Sequence, residues 1–178
     1  MPECRECRGR NFAFRSAIAA VRYVGQVREA IHALKYGNGR RLAPQLAELI
    51  AAKLGGEFDG ADFITFVPIT RKKRVERGYN QAKLLADELG RIVGKKPVAL
   101  LRRARASVPQ SGLSLDERRR NVRGAFEATR SVQGRALLID DVYTTGSTAD
   151  ECARALLKAG AGEVLVATVA RTVIDGAV

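Results

Sequence analysis

Three short runs of almost unbroken apolar character, DFITFVP (62–68), RALLIDDV (135–142) and EVLVATVA (163–170), most constrain how this chain can fold. A strand with one face in water alternates apolar and polar residues, whereas a run apolar at nearly every position must be covered on both faces. Between these runs the period changes. Val27, Ala30, Ile31 and Leu34 share one face of a helix over about 27–36, and Ala82, Leu85, Ala86, Leu89 and Ile92 share one face of a later helix. Further helices are predicted over about 41–54, closed by Gly55-Gly56, and over about 148–159. AIAAVRYV (17–24) and KPVALLRR (96–103) add two strands, and Ser114 three residues before Glu117 has the spacing of a capping box that opens a short helix. Strands alternating with helices, the central strands apolar throughout, predict an α/β domain with a mostly parallel sheet flanked by helices. The 178 residues make one such domain over 17–178, with a short preceding segment over 1–16. Ligands of parallel sheets bind beyond the carboxyl ends of the strands. Segments 69–73, 102–112 and 140–148 each follow a strand and are expected to converge at one edge.

Charge is the abnormal bulk property. Thirty-one lysines and arginines against 19 acids leave +12, which favours an anionic partner, either nucleic acid or a polyphosphorylated small molecule. The 46% of hydrophobic residues are dispersed, and no run approaches the roughly eighteen apolar residues of a membrane span. Residues 1–20 hold no signal-peptide core, so a cytoplasmic location is expected. The oligomeric state stays open, a dimer included. Cys4 and Cys7 form a C-x-x-C, half the ligand set of a tetrahedral zinc site, with no second pair to complete it. They read either as reduced thiols or as the remnant of a zinc ribbon. Cys152 lies on the apolar face Ala149, Cys152, Ala153, Leu156 and reads as core. His32 lies off its helix's apolar stripe and reads as a surface histidine, with catalysis as the lesser reading.

The stretch LLIDDVYTTGST (137–148) carries the chemistry. Thr144, Thr145, Gly146, Ser147 and Thr148 lie between a strand end and a helix start, where backbone amides lack intrahelical acceptors and meet the positive end of the dipole. Hydroxyls add donors, and Gly146 permits close approach of the backbone. The lysine and glycines of a Walker loop are missing, as is a G-x-G-x-x-G. A terminal phosphate monoester therefore suits the loop, with Val142 and Tyr143 at its entry completing the candidate phosphate-binding set. Carboxylates repel phosphate, so Asp140 and Asp141 must face something else: vicinal hydroxyls, which donate to carboxylates, or a hydrated Mg²⁺. Together these features fit a ribose 5-phosphate. The bland alternative is a strand that merely ends in two acids and a helix capped by Thr148 with Glu151.

LLIDDVYTTGST resembles the 5-phosphoribosyl 1-pyrophosphate (PRPP) motif of the type I phosphoribosyltransferases. Together with LKYGNGRRLAPQLA, VPITRKKRVERGYNQAKLLA and VPQSGLSLDERRRNVRGAF, it makes the chain from about residue 17 to 171 similar to the ComF family, the competence-protein branch of that fold. The resemblance implies the type I phosphoribosyltransferase fold with a small N-terminal hood. It implies a pyrophosphate loop over 69–73, with Thr70, Arg71 and Lys72 as pyrophosphate-binding residues and a non-proline cis peptide near Thr70-Arg71. It also implies a mobile catalytic loop over 102–113 in which Arg103 and Arg105 are candidates for the leaving group. Asp140 and Asp141 are the implied catalytic acids and Mg²⁺ site. Relatives often begin with a four-cysteine zinc ribbon, and only Cys4 and Cys7 are present here.

Three functions remain open on these grounds. One is transfer of ribose 5-phosphate from PRPP to an acceptor that the sequence does not identify. A second is a DNA-uptake accessory protein binding single-stranded DNA, supported by RKKR and DERRRNVR, although aromatic residues at 6% argue against an extended stacking platform. The third is a PRPP sensor without turnover.

Overall fold

The structure, a computed structural model, describes residues 11–36, 39–104 and 123–172. Its centre is a four-stranded, wholly parallel sheet in the order β1 (Ser16–Arg22), β6 (Glu163–Arg171), β5 (Arg135–Tyr143), β2 (Phe63–Phe66). The two inner strands are the most apolar. Seven successive residues of β6, Val164 to Ala170, are buried, as the unbroken run requires of a strand covered on both faces.

Over one face lie α1 (Gly25–Tyr36), α2 (Ala43–Ala51) and α4 (Gln81–Val93); α4 packs on β2, β5 and α2. Leu85 and Leu89 of α4 and Ile31 and Leu34 of α1 are fully buried, each worth about 1.5–3 kcal/mol of transfer free energy. Over the other face lies α5 (Ser147–Lys158), which buries Ala149, Cys152, Ala153 and Leu156. Alongside α5 sits an antiparallel pair, β3 (Leu101–Arg103) with β4 (Phe126–Ala128).

Four elements depart from expectation. The helix expected over 41–54 is a 3₁₀ turn, Gly39–Leu42, followed by α2, because Pro44 in the first turn lacks the N–H that a continuing helix would need. The basic segment after β2 is α3 (Arg71–Arg77) rather than a loop. It has no apolar stripe and is held by its ends: the Thr70 hydroxyl accepts from the Lys73 amide at 3.2 Å, and Gly78 closes it in the left-handed conformation at φ 75°. Thr70 is extended there (φ −65°, ψ 154°), and no described peptide bond is cis, so the cis bond expected near Thr70-Arg71 is not found. Strand β4 had no expectation, and the strand expected over 96–103 pairs only through its last three residues. The capping box at Ser114 and most of segment 102–113 lie outside the described residues.

Candidate functional site

Near the end of strand β5 stand Asp140 and Asp141, whose side chains leave opposite faces because successive strand residues alternate. Asp141, 9% exposed, turns toward α1, where Lys35 Nζ meets its Oδ2 at 3.0 Å. Burial works to lower the Lys35 pKa, but Asp141, with Asp140 and Tyr23 behind it, holds it above the usual lysine value. Asp140 turns toward α5 and the β3–β4 pair. There its charge reaches the Cys152 thiol, which burial pushes well up. Asp140 is pushed up to about 7, first by burial and then by Asp141; the Asp141 amide, which donates to Asp140 Oδ1 at 2.9 Å, and the cations Lys35 and Lys73 oppose the shift.

Beyond the acids the chain makes the loop 144–146 and enters α5. Gly146 is the helix N-cap at φ 77°, and no side chain caps α5 from that position. Thr145 Oγ1 lies 2.7 Å from Ser147 Oγ and accepts weakly from the Ser147 amide at 3.3 Å, so the two hydroxyls form one cluster over the helix start. The cap expected at Thr148 is not there: Thr148 lies inside α5, and Glu151, its expected capping partner, accepts from the Gly124 amide at 2.6 Å. The glycine is needed twice over. Besides the positive φ, a Cβ at Gly146 would stand 2.4 Å from the Tyr143 hydroxyl and 3.1 Å from Phe12. Tyr143 itself is buried beneath the loop, edge-on to Phe14 with Arg171 over its ring at 5.8 Å. Its ring supports the loop backbone from below. Val142 is half-buried against the core, and Thr144, Thr145, Ser147 and Thr148 are half-buried at the loop surface.

The cations come from three other elements. In α3, Arg71 and Lys72 point outward, Lys72 pairing loosely with Glu76 at 3.9 Å with 86% of its side chain exposed. Lys73, one residue on, is the α3 lysine that feels the acids. Partial burial lowers its pKa, followed by the nearby charges of Arg77, Arg103 and Lys35, while Asp141 pulls the other way. Arg103, at the end of β3, stacks on Phe126 at 5.2 Å. Arg77 donates to the Tyr36 hydroxyl at 3.1 Å and lies over that ring at 4.7 Å, joining α3 to α1. A slot of about 150 Å³ between the two helices is lined by Lys35, Tyr36, Glu76 and Arg77. Arg105, Cys4 and Cys7 lie outside the described residues.

Sequence reasoning had not singled out Lys35, Arg77 or Tyr36, and it left Lys73, inside the expected pyrophosphate loop 69–73, without a binding role. The one available signal was that Lys35 and Tyr36 stand in LKYGN, off the apolar stripe and just before a break. The segment RGYNQ proves to be scaffolding. Tyr79 donates to Leu34 O at 2.7 Å, and Asn80 both caps α4 and donates to Val67 O at 2.9 Å. Arg40 lies over the Tyr79 ring at 4.4 Å. These bonds fix α1 and α3 relative to the end of β2.

The acid pair suits a cation with oxygen ligands. Among the described residues no group of three or more His, Cys, Asp or Glu could hold a metal, and with Asp140 and Asp141 on opposite faces of β5 a cation beside either would take most of its coordination shell from water and ligand oxygens. That is the habit of Mg²⁺.

No family model matches the chain. Among curated proteins, it is 33% identical over 176 residues to the DNA utilization protein YhgH of Escherichia coli O157:H7, covering 95% of this chain and 78% of that one. It is 30% identical over 178 residues to competence protein F of Haemophilus influenzae, covering 94% and 78%. With competence protein ComFC of Bacillus subtilis it shares 33% identity over 96 residues, 53% of this chain and 38% of that one. Two solved structures align with a TM-score of 0.52 at 22% identity. One is the allosteric regulatory enzyme of purine biosynthesis, over 76% of this chain and 29% of that one. The other is the glutamine PRPP amidotransferase of B. subtilis complexed with ADP and GMP, over 76% and 30%. The chain thus spans less than a third of each of those structures, and the likeness establishes the fold, that of the type I phosphoribosyltransferases.

Proposed function

This chain belongs to the ComF family of competence proteins, and from that premise we propose that it binds PRPP and transfers its ribose 5-phosphate in a Mg²⁺-dependent reaction. The observation that supports the reading is the continuity of β5 into α5: two carboxylates, then a glycine-bent loop whose hydroxyls cluster over the start of a helix, where an anion is favoured. The 5-phosphate takes Thr144, Thr145, Ser147 and Thr148 with the first-turn amides. The ribose hydroxyls donate to Asp140 and Asp141, which also hold the Mg²⁺ or its waters. Bound there, Mg²⁺ would neutralise the departing pyrophosphate.

The residues of the chain supply positioning and charge. When an acceptor attacks the anomeric carbon, the bond to the pyrophosphate oxygen breaks and the electron pair leaves with pyrophosphate. Lys73, Arg77 and Arg103 would offset that charge, with Thr70, Arg71 and Lys72 preceding Lys73 in the chain. The negative charge of the acids offsets the ribose, which becomes cation-like in the same step. Calorimetry with PRPP and Mg²⁺ tests the pocket, and wild-type protein that takes up no heat-detectable PRPP would end this reading. Release of pyrophosphate in the presence of bases or amines separates an enzyme from a sensor.

A second reading has its own observation. Arg71, Lys72, Lys73 and Arg74 are all exposed in succession on α3, with Arg40 and Arg41 exposed on the neighbouring turn. Such a face suits the phosphate backbone of single-stranded DNA in an uptake role, and the names of the relatives speak of DNA utilization and competence. A salt titration of oligonucleotide binding decides: a flat dependence removes the phosphate footprint.

A further inference from the structure

Helix α1 turns two different faces outward and inward. Ile31 and Leu34 are fully buried, whereas Gly25, Arg28, Glu29, His32, Ala33 and Tyr36, recurring at helical spacing, line a surface hollow of about 560 Å³ among the described residues. That volume falls within the roughly 300–1,000 Å³ of small-molecule sites. Two rings stand in the hollow. His32 and Tyr36 lie one helical turn apart, their ring centroids separated by 4.8 Å and their planes tilted by 42°. Tyr36 is 67% exposed, yet its ring is held: the Arg77 guanidinium lies over it at 4.7 Å and donates to its hydroxyl at 3.1 Å. An aromatic left in water but fixed in place has its stacking surface prepared, so little rotamer freedom is lost when a flat partner covers it.

The charge around the hollow narrows that partner. Arg28 is exposed inside it. Through Arg77 the Tyr36 ring adjoins α3, where Arg71, Lys72, Lys73 and Arg74 are exposed in succession, and Arg40 bonds the turn Gly39–Leu42 to the end of α3 through Gly78 O at 3.2 Å. The acids of these elements are two, Glu29 in the hollow and Glu76, which Lys72 approaches at 3.9 Å. Rings beside a run of cations are the pattern of single-stranded nucleic-acid sites, in which cations follow the backbone and aromatics stack on the bases. A duplex keeps its bases stacked on one another and offers none to such a ring.

We propose that the outward face of α1 is a stacking station for single-stranded DNA: one unstacked base lies in the hollow against Tyr36 and His32, while the neighbouring phosphates follow the basic face of α3. Two rings accommodate one base rather than a run, in keeping with an aromatic content of 6%. Every base has a π-face, so the station tolerates any sequence and adds affinity for strands whose bases are free. This inference rests on the single-stranded DNA reading and places a base contact beside its phosphate contacts.

The test is fluorescence anisotropy on the whole chain with two labelled probes of equal length, an oligodeoxythymidine and an abasic deoxyribose-phosphate oligomer, each titrated at several salt concentrations. Wild-type protein is expected to prefer the base-bearing strand. Tyr36→Leu should weaken that strand by about fivefold to a hundredfold, the worth of one stacked base, and leave the abasic oligomer and the salt slope unchanged. Tyr36→Phe keeps the ring and should keep the preference; His32→Ala should show a smaller loss in the same sense. Arg74→Gln, on the phosphate side, should weaken both oligomers and reduce the salt slope. Equal binding of the two oligomers by wild-type protein would overturn the proposal while leaving the phosphate footprint standing. So would an equal loss of both in Tyr36→Leu, the mark of a ring that only positions Arg77. Wild-type protein that binds neither oligomer, or binds with no salt dependence, would instead defeat the single-stranded DNA reading and the stacking station with it.

Discussion

The two sides of the candidate site are built in different ways. The β5–α5 side is one contiguous stretch, and its donors are backbone amides and short hydroxyls held by a glycine turn lying on a buried tyrosine. The α1–α3 side is made of long cationic side chains brought from three elements and tied by side-chain bonds such as Arg77–Tyr36 and Tyr79–Leu34. A site of the first kind is rigid and costs little entropy to occupy. One of the second kind can move its charges, at about 1.5–2 kcal/mol of rotamer freedom for each long side chain that is ordered. The pairing suits a reaction in which one end of the substrate is anchored and the other end leaves.

The largest effect that would break this contrast is expected on the anchored side. Gly146→Val puts a Cβ into the Tyr143 hydroxyl at a positive φ, so loop displacement costing about 1–3 kcal/mol is expected, with ribose 5-phosphate binding abolished by calorimetry. A variant that still binds would show that the backbone is not the anchor. Asp141→Asn should weaken PRPP by roughly a hundredfold through loss of a charged acceptor; unchanged affinity would move the ribose elsewhere.

On the side-chain-built wall, smaller and separable losses are expected. Arg77→Ala should weaken pyrophosphate by about tenfold and leave ribose 5-phosphate alone, and equal losses of both would dissolve the distinction between the sides. Tyr79→Phe removes the hydroxyl that donates to Leu34 O and should cost about 1 kcal/mol of stability in denaturant melts.

The subtlest test is pH. Asp140, whose unfolded value is near 3.8, is raised to about 7, so the folded protein holds its proton more tightly than the unfolded chain does. The stability this contributes is complete below the unfolded value and is lost as pH rises through about 7. Asp140→Asn should flatten that part of the melting-temperature profile, and an unchanged slope would contradict the assignment. Any ligand that needs both carboxylates ionised should bind more tightly as pH rises over the same range.

The contrast also explains which parts of the site could be read from the chain. Strands β2, β5 and β6 and helices α4 and α5 announce themselves through period and apolarity, and the acids and hydroxyls of 140–148 are neighbours in sequence. Helix α3 did not, because RKKRVER has no stripe and its stability lies in its caps; Thr70 and Gly78 were the legible clues. Strand β4, three residues long, is too short to show a period.

What the sequence determined by itself is therefore the parallel sheet and the phosphate loop, because burial on both faces and a strand-to-helix turn are local demands on residue type. Only the tertiary structure decided that Lys35 meets Asp141, that the charge of Asp141 reaches Lys73, and that Arg77 closes the wall with Tyr36. Those partners lie on separate elements, and a charged side chain carries no periodic signal of which distant carboxylate it will reach. Their meeting is fixed by how α1 and α3 pack beyond the end of the sheet.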